Sequence, residues 1–353
     1  MTNNLKKYFP LIRERSEVLA DIASKKELQE QFNQWTEKQQ EEFLDFCTGA
    51  RGVKMLYDSF FKEVANPEYS PERLNDFLSV MLKQKVKILH VLPNDSVRIA
   101  LENSLLITDL VVELEDGSIA NIEIQKIGYM FPGERAACYS ADLLLRQYKR
   151  VRDKRGKQFT YKDIKPVYTI VLYEHSPREF HLFPEDYIHY ISPEADTGLK
   201  LNMLQRYVMV PLDIFRKKRH NEAITNKVDA WLTFLSMDEP EEIVRLITAY
   251  PEFKPMYEDI YELCRNRERV IGMFSKELQM LDENTVQYMI DEMQDKIDEQ
   301  QGKIDEQQGK IDEQQGKIDK QQDKIDEMQD RLEKQNRELQ AALETIEKMK
   351  TQK

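Results

Sequence analysis

Residues 107–126 read ITDLVVELEDGSIANIEIQK. Two runs of alternating apolar residues flank Glu115-Asp116-Gly117, and such a pattern around Asp-Gly is typical of a β-hairpin. Glycine adopts without cost the left-handed conformation that a three-residue hairpin loop requires. The sequence therefore predicts two antiparallel strands joined by a loop at 115–117.

The length of this loop determines which side chains lie opposite one another. A two-residue loop would place Asp109 opposite Ile124 and would mix polar with apolar positions on both faces. A three-residue loop makes one face apolar, because it pairs Leu110 with Ile122 and Val112 with Ala120. On the other face it brings Asp109 opposite Glu123, with Gln125 two residues further along the strand. We prefer this register, since a slip of one residue moves every side chain of a strand to the other face.

Two carboxylates directly opposite each other on a sheet repel. A divalent cation between Asp109 and Glu123 would remove that repulsion, and their hard oxygen ligands suit Mg²⁺ or Mn²⁺. The alternative is a solvent-facing strand whose acidic residues only confer solubility.

The pattern of Asp109 followed across the hairpin by Glu123-x-Gln125 resembles the core of the PD-(D/E)XK nuclease superfamily. More narrowly, it is similar to the PD-(D/E)XK nuclease family transposases, also called recombination-promoting nucleases. The resemblance spans roughly residues 48–289. Three further blocks carry it: LYDSFFKEVANPE (56–68), FPGERAACYSADLLLRQYKR (131–150) and YKDIKPVYTIVLYEHSP (161–177).

This resemblance implies an α/β fold with a restriction-endonuclease-like core, in which helices flank a mixed sheet. It also implies metal-dependent hydrolysis of DNA phosphodiester bonds, with Mg²⁺ or Mn²⁺ as the cofactor. Asp109 and Glu123 would be the metal ligands, and Gln125 would complete the catalytic set. A further ligand from the first helix of the family would have to be Asp58 or Glu63.

One residue departs from the usual superfamily pattern. Lysine commonly stands two positions after the acidic residue, whereas this chain has Gln125, as the transposase-like members commonly do. Glutamine cannot act as a charged stabiliser or a base, but it can orient water or a phosphate oxygen by hydrogen bonds. Lys126 alternates to the other face of the strand, so we do not assign it the role of the missing lysine.

The predicted helix after the hairpin supplies candidate substrate contacts. Arg146 and Gln147 match the family pattern and are expected near the DNA phosphate. Arg135 and Tyr139 also match the family pattern. They are either part of the site or residues for packing and salt bridges.

A net charge of −12 is unusual for a protein that binds DNA. Half of it, −6, belongs to residues 290–353, which hold 18 Asp and Glu against 12 Lys and Arg. Residues 147–165 carry eight basic and two acidic side chains, a local charge of +6. Lys149, Arg150 and Arg152 of this segment are predicted to contact phosphates, and interleaved aromatic residues are predicted to stack on bases. The aromatic residues are Tyr148, Phe159 and Tyr161.

Four segments are predicted along the chain: a helical N-terminal extension (1–47), the nuclease-like core (48–220), a helical region packed on the core (221–289) and a heptad-repeat tail (290–353). In the tail an aliphatic residue recurs every seven positions from Ile290, and IDEQQGK occurs three times in succession from Ile297. A strict seven-residue repeat predicts a coiled coil. Glutamine fills most d positions, so we expect only weak self-association; a solvated single helix is the alternative.

No apolar run is long enough to span a membrane, the N-terminus does not resemble a secretory signal, and three scattered cysteines fit reduced thiols in the cytosol.

The carboxylate pattern and the family resemblance together favour a metal-dependent DNA endonuclease. The alternative is a catalytically weak or inactive DNA-binding protein that oligomerises through its tail, because Gln125 replaces the usual lysine.

Overall fold

The computed structural model describes residues 5–66, 69–92, 110–128 and 131–351. Asp109 lies outside these ranges, as does the rest of segment 93–109. Within the described ranges, no helix has both the length and the apolar character needed to cross a membrane.

In the described part of the chain, six strands form one mixed sheet. The strands are β1 (Ile88–Val91), β2 (Leu110–Leu114), β3 (Ile119–Gln125), β4 (Val167–Tyr173), β5 (His189–Ile191) and β6 (Gln205–Pro211). Their order across the sheet is β1-β2-β3-β4-β6-β5. β3, β4 and β6 run parallel, whereas β1 with β2, β2 with β3 and β5 with β6 are antiparallel.

The predicted register of the hairpin is confirmed. Leu114 N donates to Ser118 O at 2.8 Å, and Gly117 N donates to Leu114 O at 2.9 Å. Gly117 has φ of +85°, so it adopts the positive φ that the three-residue loop requires. The paired residues beyond the loop include Val112 with Ala120 and Leu110 with Ile122.

Helices flank this sheet, which confirms the predicted α/β class. They are α1 (Arg15–Ala23), α2 (Lys26–Gln34), α3 (Glu37–Thr48), α4 (Asp58–Val64), α5 (Pro71–Met81), α6 (Pro132–Arg155), α7 (Leu212–Arg219), α8 (Lys227–Ser236), α9 (Pro240–Ala249), α10 (Lys254–Arg265) and α11 (Arg267–Thr351).

One face of the sheet is apolar and belongs to the largest hydrophobic core. Its buried side chains alternate along the central strands, as expected for a two-sided sheet. Helices of the N-terminal and C-terminal parts supply the rest of this core; for example, the Trp35 ring lies 4.9 Å from that of Phe274. The sheet residues of this core are Leu110, Val112, Leu114, Ala120, Ile122, Ile170, Leu172, Val208 and Val210.

Helix α6 covers the opposite face of the sheet. Its buried residues recur every three or four positions, which places them on one side of the helix. They include Ala136, Tyr139, Ser140, Leu143 and Gln147. Two small apolar clusters lie at this interface, one with Ala136, Val171 and Tyr173 and one with Val111, Ile119, Leu143 and Val167.

The chain forms two compact units, Met1–Tyr288 and Met289–Lys353. The predicted segments 1–47 and 48–220 lie within the first unit. The second unit consists of the C-terminal part of α11, whose seven-residue aliphatic stripe is exposed to solvent, with Ile297, Ile304 and Ile311 between 55% and 57% exposed. Glu306–Lys310 (2.6 Å) and equivalent i, i+4 ion pairs support this helix.

Candidate functional site

Strand β3 directs Asn121, Glu123 and Gln125 to the face that α6 covers, because successive side chains of a strand point to opposite faces. All three are buried: Glu123 is 6% exposed and Gln125 is 4% exposed. The alternative of a solvent-facing strand is therefore wrong for these residues. A carboxylate and an amide share the interior of this face.

Tyr173 shares this face with Glu123 and is influenced by the charges of Glu123 and Arg135 and by Tyr139. Tyr173, at the end of β4, is in register with Gln125 and is fully buried. Burial raises the pKa of Tyr173; the positive charge of Arg135 opposes this effect, and the negative charge of Glu123 adds to it. On α6, Arg135 Nη2 donates to Tyr139 Oη at 3.3 Å. The site therefore combines a carboxylate, a guanidinium group and two phenol side chains.

Several polar atoms of this face are buried without a hydrogen-bond partner among the described residues. Gln125 Oε1 and Tyr173 Oη lie at the carboxyl end of the parallel strands, and Thr169 Oγ1 lies nearer their start. Buried polar atoms of native proteins almost always have a partner in protein or ordered water. These atoms mark positions where water or a ligand is expected.

The Lys126 side chain lies on the opposite face of the sheet from the Gln125 side chain. Its ammonium group forms a buried ion pair with Glu277 of α11 and lies 4.4 Å from the centre of the Tyr57 ring. Glu277 also accepts hydrogen bonds of 2.8 Å from the backbone N and the hydroxyl of Ser59. This geometry agrees with the expectation that Lys126 does not replace the missing lysine, and it gives Lys126 a structural role.

The predicted metal ligands are only partly described. Asp109 lies outside the described residues, as does the side chain of Asp58. Glu63, the other candidate from α4, forms an ion pair with Arg269 at 2.5 Å. In the described ranges, no group of three or more His, Cys, Asp or Glu side chains is arranged to hold a metal ion. Glu123 and Gln125 nevertheless offer oxygen atoms on one buried face, and that donor chemistry fits a hard divalent cation.

The predicted phosphate contact of Gln147 does not fit its position. Gln147 is 1% exposed, its Nε2 donates to Gly117 O at 3.2 Å, and its Oε1 accepts from Lys165 N at 2.8 Å. The Gln147 side-chain amide thus links the hairpin loop to the residues just before β4. Both of its polar atoms are already hydrogen-bonded to the backbone, so neither is available to a substrate. The sequence reveals no sign of this role, because both partners are backbone groups.

The basic candidates of α6 divide into paired and exposed side chains. Arg146 pairs with Asp142 at 2.7 Å, and Arg150 lies 3.3 Å from Glu113. Lys149 and Arg152 are exposed and form no ion pair with any described residue; Arg152 Nη1 donates to Tyr148 Oη at 2.7 Å.

A groove of about 770 Å³ lies beside the C-terminal half of α6. Two of the predicted aromatic residues line this groove: the Tyr148 and Tyr161 rings are stacked with centroids 6.2 Å apart. The centroid of the Phe159 ring lies 5.5 Å from the centroid of each. Tyr161 is 78% exposed. The lining residues are Leu144, Leu145, Tyr148, Tyr161, Lys162, Ile164, Asn202 and Leu204.

The mixed sheet with its flanking helices is the α/β architecture of PD-(D/E)XK proteins. Residues 55–298 match the family described as PD-(D/E)XK nuclease family transposase. The matched residues make up well over half of the chain, so the chain belongs to this family. No curated protein and no solved structure matches it.

Proposed function

We propose that this protein is a metal-dependent DNA endonuclease of the transposase-like, recombination-promoting type. The observation that carries the proposal is the buried polar face of β3, on which Glu123 and Gln125 lie together beneath α6. The described register of the hairpin extends to the pair Leu110–Ile122. One further pair in the same register would join Asp109 and Glu123.

Asp109 and Glu123 would hold the metal ion, Mg²⁺ or Mn²⁺, through their carboxylate oxygens. When bound, such an ion polarises the phosphoryl group and lowers the pKa of a water molecule. Gln125 would orient the water or a phosphate oxygen by hydrogen bonds. Arg135, whose charge acts on Tyr173 beside Glu123, would offset negative charge on the buried face.

DNA would contact the protein through the basic part of α6. Lys149 and Arg152 are exposed and would pair with phosphates. Arg146 and Arg150 already neutralise Asp142 and Glu113, so we expect smaller contributions from them. The exposed Tyr161 ring offers a surface on which a base can stack.

Cleavage of supercoiled plasmid in the presence of Mg²⁺ tests the proposal. We expect the wild-type protein to nick the plasmid, and Asp109→Ala and Glu123→Ala each to lower the rate by at least about a hundredfold, because each removes a metal ligand. DNA affinity should stay within about twofold, because phosphate contacts come from other residues.

Glu115→Ala is the matched control. This acidic residue lies in the hairpin loop, is exposed and approaches Lys87 at 3.7 Å, so its loss should leave cleavage unchanged. Equal cleavage by wild type, Asp109→Ala and Glu123→Ala would contradict the assigned site. DNA binding without cleavage by the wild type would favour the alternative, a catalytically weak or inactive DNA-binding protein that self-associates through residues 290–353.

A further inference from the structure

Tyr173 is a buried side chain to which the proposed function gives no role. It ends β4, is 0% exposed, and its ring lies 5.1 Å from that of Phe180. The Tyr173 hydroxyl has no hydrogen-bond partner among the described residues. The same is true of Oε1 of Gln125, its neighbour in register on β3.

These two atoms lie on one face of adjacent strands, which are roughly 4.8 Å apart in a sheet. The charges of Glu123 and Arg135 also act on the Tyr173 hydroxyl, which agrees with its place on the polar face of the sheet. Two atoms so placed, each without a partner in the described part of the chain, point to a shared partner, since buried polar atoms are nearly always hydrogen-bonded.

The chemistry of the two atoms identifies that partner. A phenol hydroxyl donates a hydrogen bond, and an amide oxygen only accepts one. A phosphate oxygen accepts only, so it would satisfy Tyr173 and leave Gln125 without a donor. A metal ion could bind the Gln125 oxygen, but it cannot accept a hydrogen bond from Tyr173. A water molecule both accepts and donates, and it satisfies both atoms at once.

We propose that Tyr173 and Gln125 together hold one ordered water molecule beside Glu123, and that Tyr173 is a positioning residue that fixes the Gln125 amide through this water. The water site rests on the burial, the register and the hydrogen-bonding chemistry of these two side chains, and it does not depend on the proposed function. Its effect on cleavage rests on the proposed function, in which Gln125 orients the reacting groups.

Crystal structures of the protein with residues 1–353 and of its Tyr173→Phe variant test the water site directly. In the wild type we expect an ordered water within hydrogen-bond distance of Tyr173 Oη and of the Gln125 amide. In Tyr173→Phe, which keeps the ring, we expect the water to be lost or the amide to change orientation. A Tyr173 hydroxyl bonded to a protein atom, or left without any partner, would overturn the proposal.

Single-turnover plasmid cleavage tests the positioning role. Tyr173→Phe should lower the cleavage rate by about tenfold, as expected for one lost orienting hydrogen bond, with DNA affinity within about twofold of the wild type. Tyr257→Phe and Tyr261→Phe are matched controls, because these tyrosines are equally buried and their hydroxyls also lack a partner among the described residues. They lie in α10, within the helical core, and should leave the rate unchanged.

The outcomes distinguish the two proposals. If the wild type cleaves, Glu123→Ala does not, and Tyr173→Phe equals the wild type, the positioning role is wrong while the proposed function stands. If the wild type does not cleave DNA, the proposed function fails, and the crystal structures still decide whether the water site exists.

Discussion

Lys126 and Glu277 form an ion pair that is almost completely inaccessible to solvent, with side chains 6% and 1% exposed. The pair joins the residue after β3 to helix α11, and Glu277 also binds the backbone of Ser59 at the start of α4. Loss of either partner of such a pair is destabilising, because the charge that remains buried cannot recover its lost hydration. The pair therefore fixes the end of the strand that carries Glu123 and Gln125.

We expect Lys126→Met to lower the free energy of unfolding by about 3–5 kcal/mol, because it leaves the Glu277 carboxylate buried and unpaired. Denaturant unfolding of the first unit, followed by tryptophan fluorescence, measures this change. The double variant Lys126→Met with Glu277→Leu should recover most of the loss, because no buried charge remains. A loss below about 0.5 kcal/mol in the single variant would be within the range of ordinary surface substitutions and would contradict the role given to the pair.

Helix α6 has two functions along its length. One side packs on the sheet, and its C-terminal part carries basic side chains toward solvent. Some of these are held by carboxylates, as in Arg150 with Glu113 and Arg155 with Asp163. Only cations without such partners release counterions fully when they meet a phosphate.

Neutralising exposed and paired cations of α6 should therefore have different effects on DNA binding. Lys149→Gln with Arg152→Gln should lower the slope of log K against log salt by about 0.9 per lost phosphate contact. Arg150→Gln with Arg155→Gln removes the same charge and serves as the matched control, with a smaller change expected. Titrations at several salt concentrations measure both slopes. Equal slopes for all proteins would show that DNA binds elsewhere.

The hairpin register was predictable because its determinants are local: Gly117 supplies the positive φ, and alternation assigns Leu110 and Ile122 to one face. The roles of other side chains depend on partners distant in sequence. Gln147 binds Gly117, 30 residues away, and Lys126 binds Glu277, 151 residues away. Tyr173 follows an apolar run, and nothing in that run indicates that its hydroxyl faces a polar site. The sequence therefore predicts strands and their faces better than the contacts that position the site.

The two compact units of the chain differ in composition. The first has an extensive hydrophobic core, whereas the second is a helix whose aliphatic residues are largely exposed. Exposed isoleucines at seven-residue spacing are typical of a surface that pairs with a second helix. The glutamines at most d positions weaken such pairing.

Deleting residues 290–353 should leave the first unit folded and its cleavage rate unchanged, because no candidate site residue lies in the deleted segment. Any dimer detected by sedimentation of the full-length protein should decrease, and the net charge should change from −12 to −6, given the −6 of the deleted segment. Loss of cooperative unfolding in the truncated protein would show that the boundary is misplaced. Unchanged sedimentation of a dimer would place the interface in the first unit.

The three identical IDEQQGK cassettes also affect how two such helices would align. Because the cassettes repeat every seven residues, two parallel chains can slide past each other by about 10.5 Å, the rise of one cassette, and recover the same contacts within the repeated segment. Only the residues on either side of the repeated segment, such as Met293 and Met328, differ between these alignments. Gain or loss of a whole cassette would likewise preserve the seven-residue spacing of the aliphatic residues. The helix can therefore lengthen or shorten by seven residues at a time and keep the same surface for pairing.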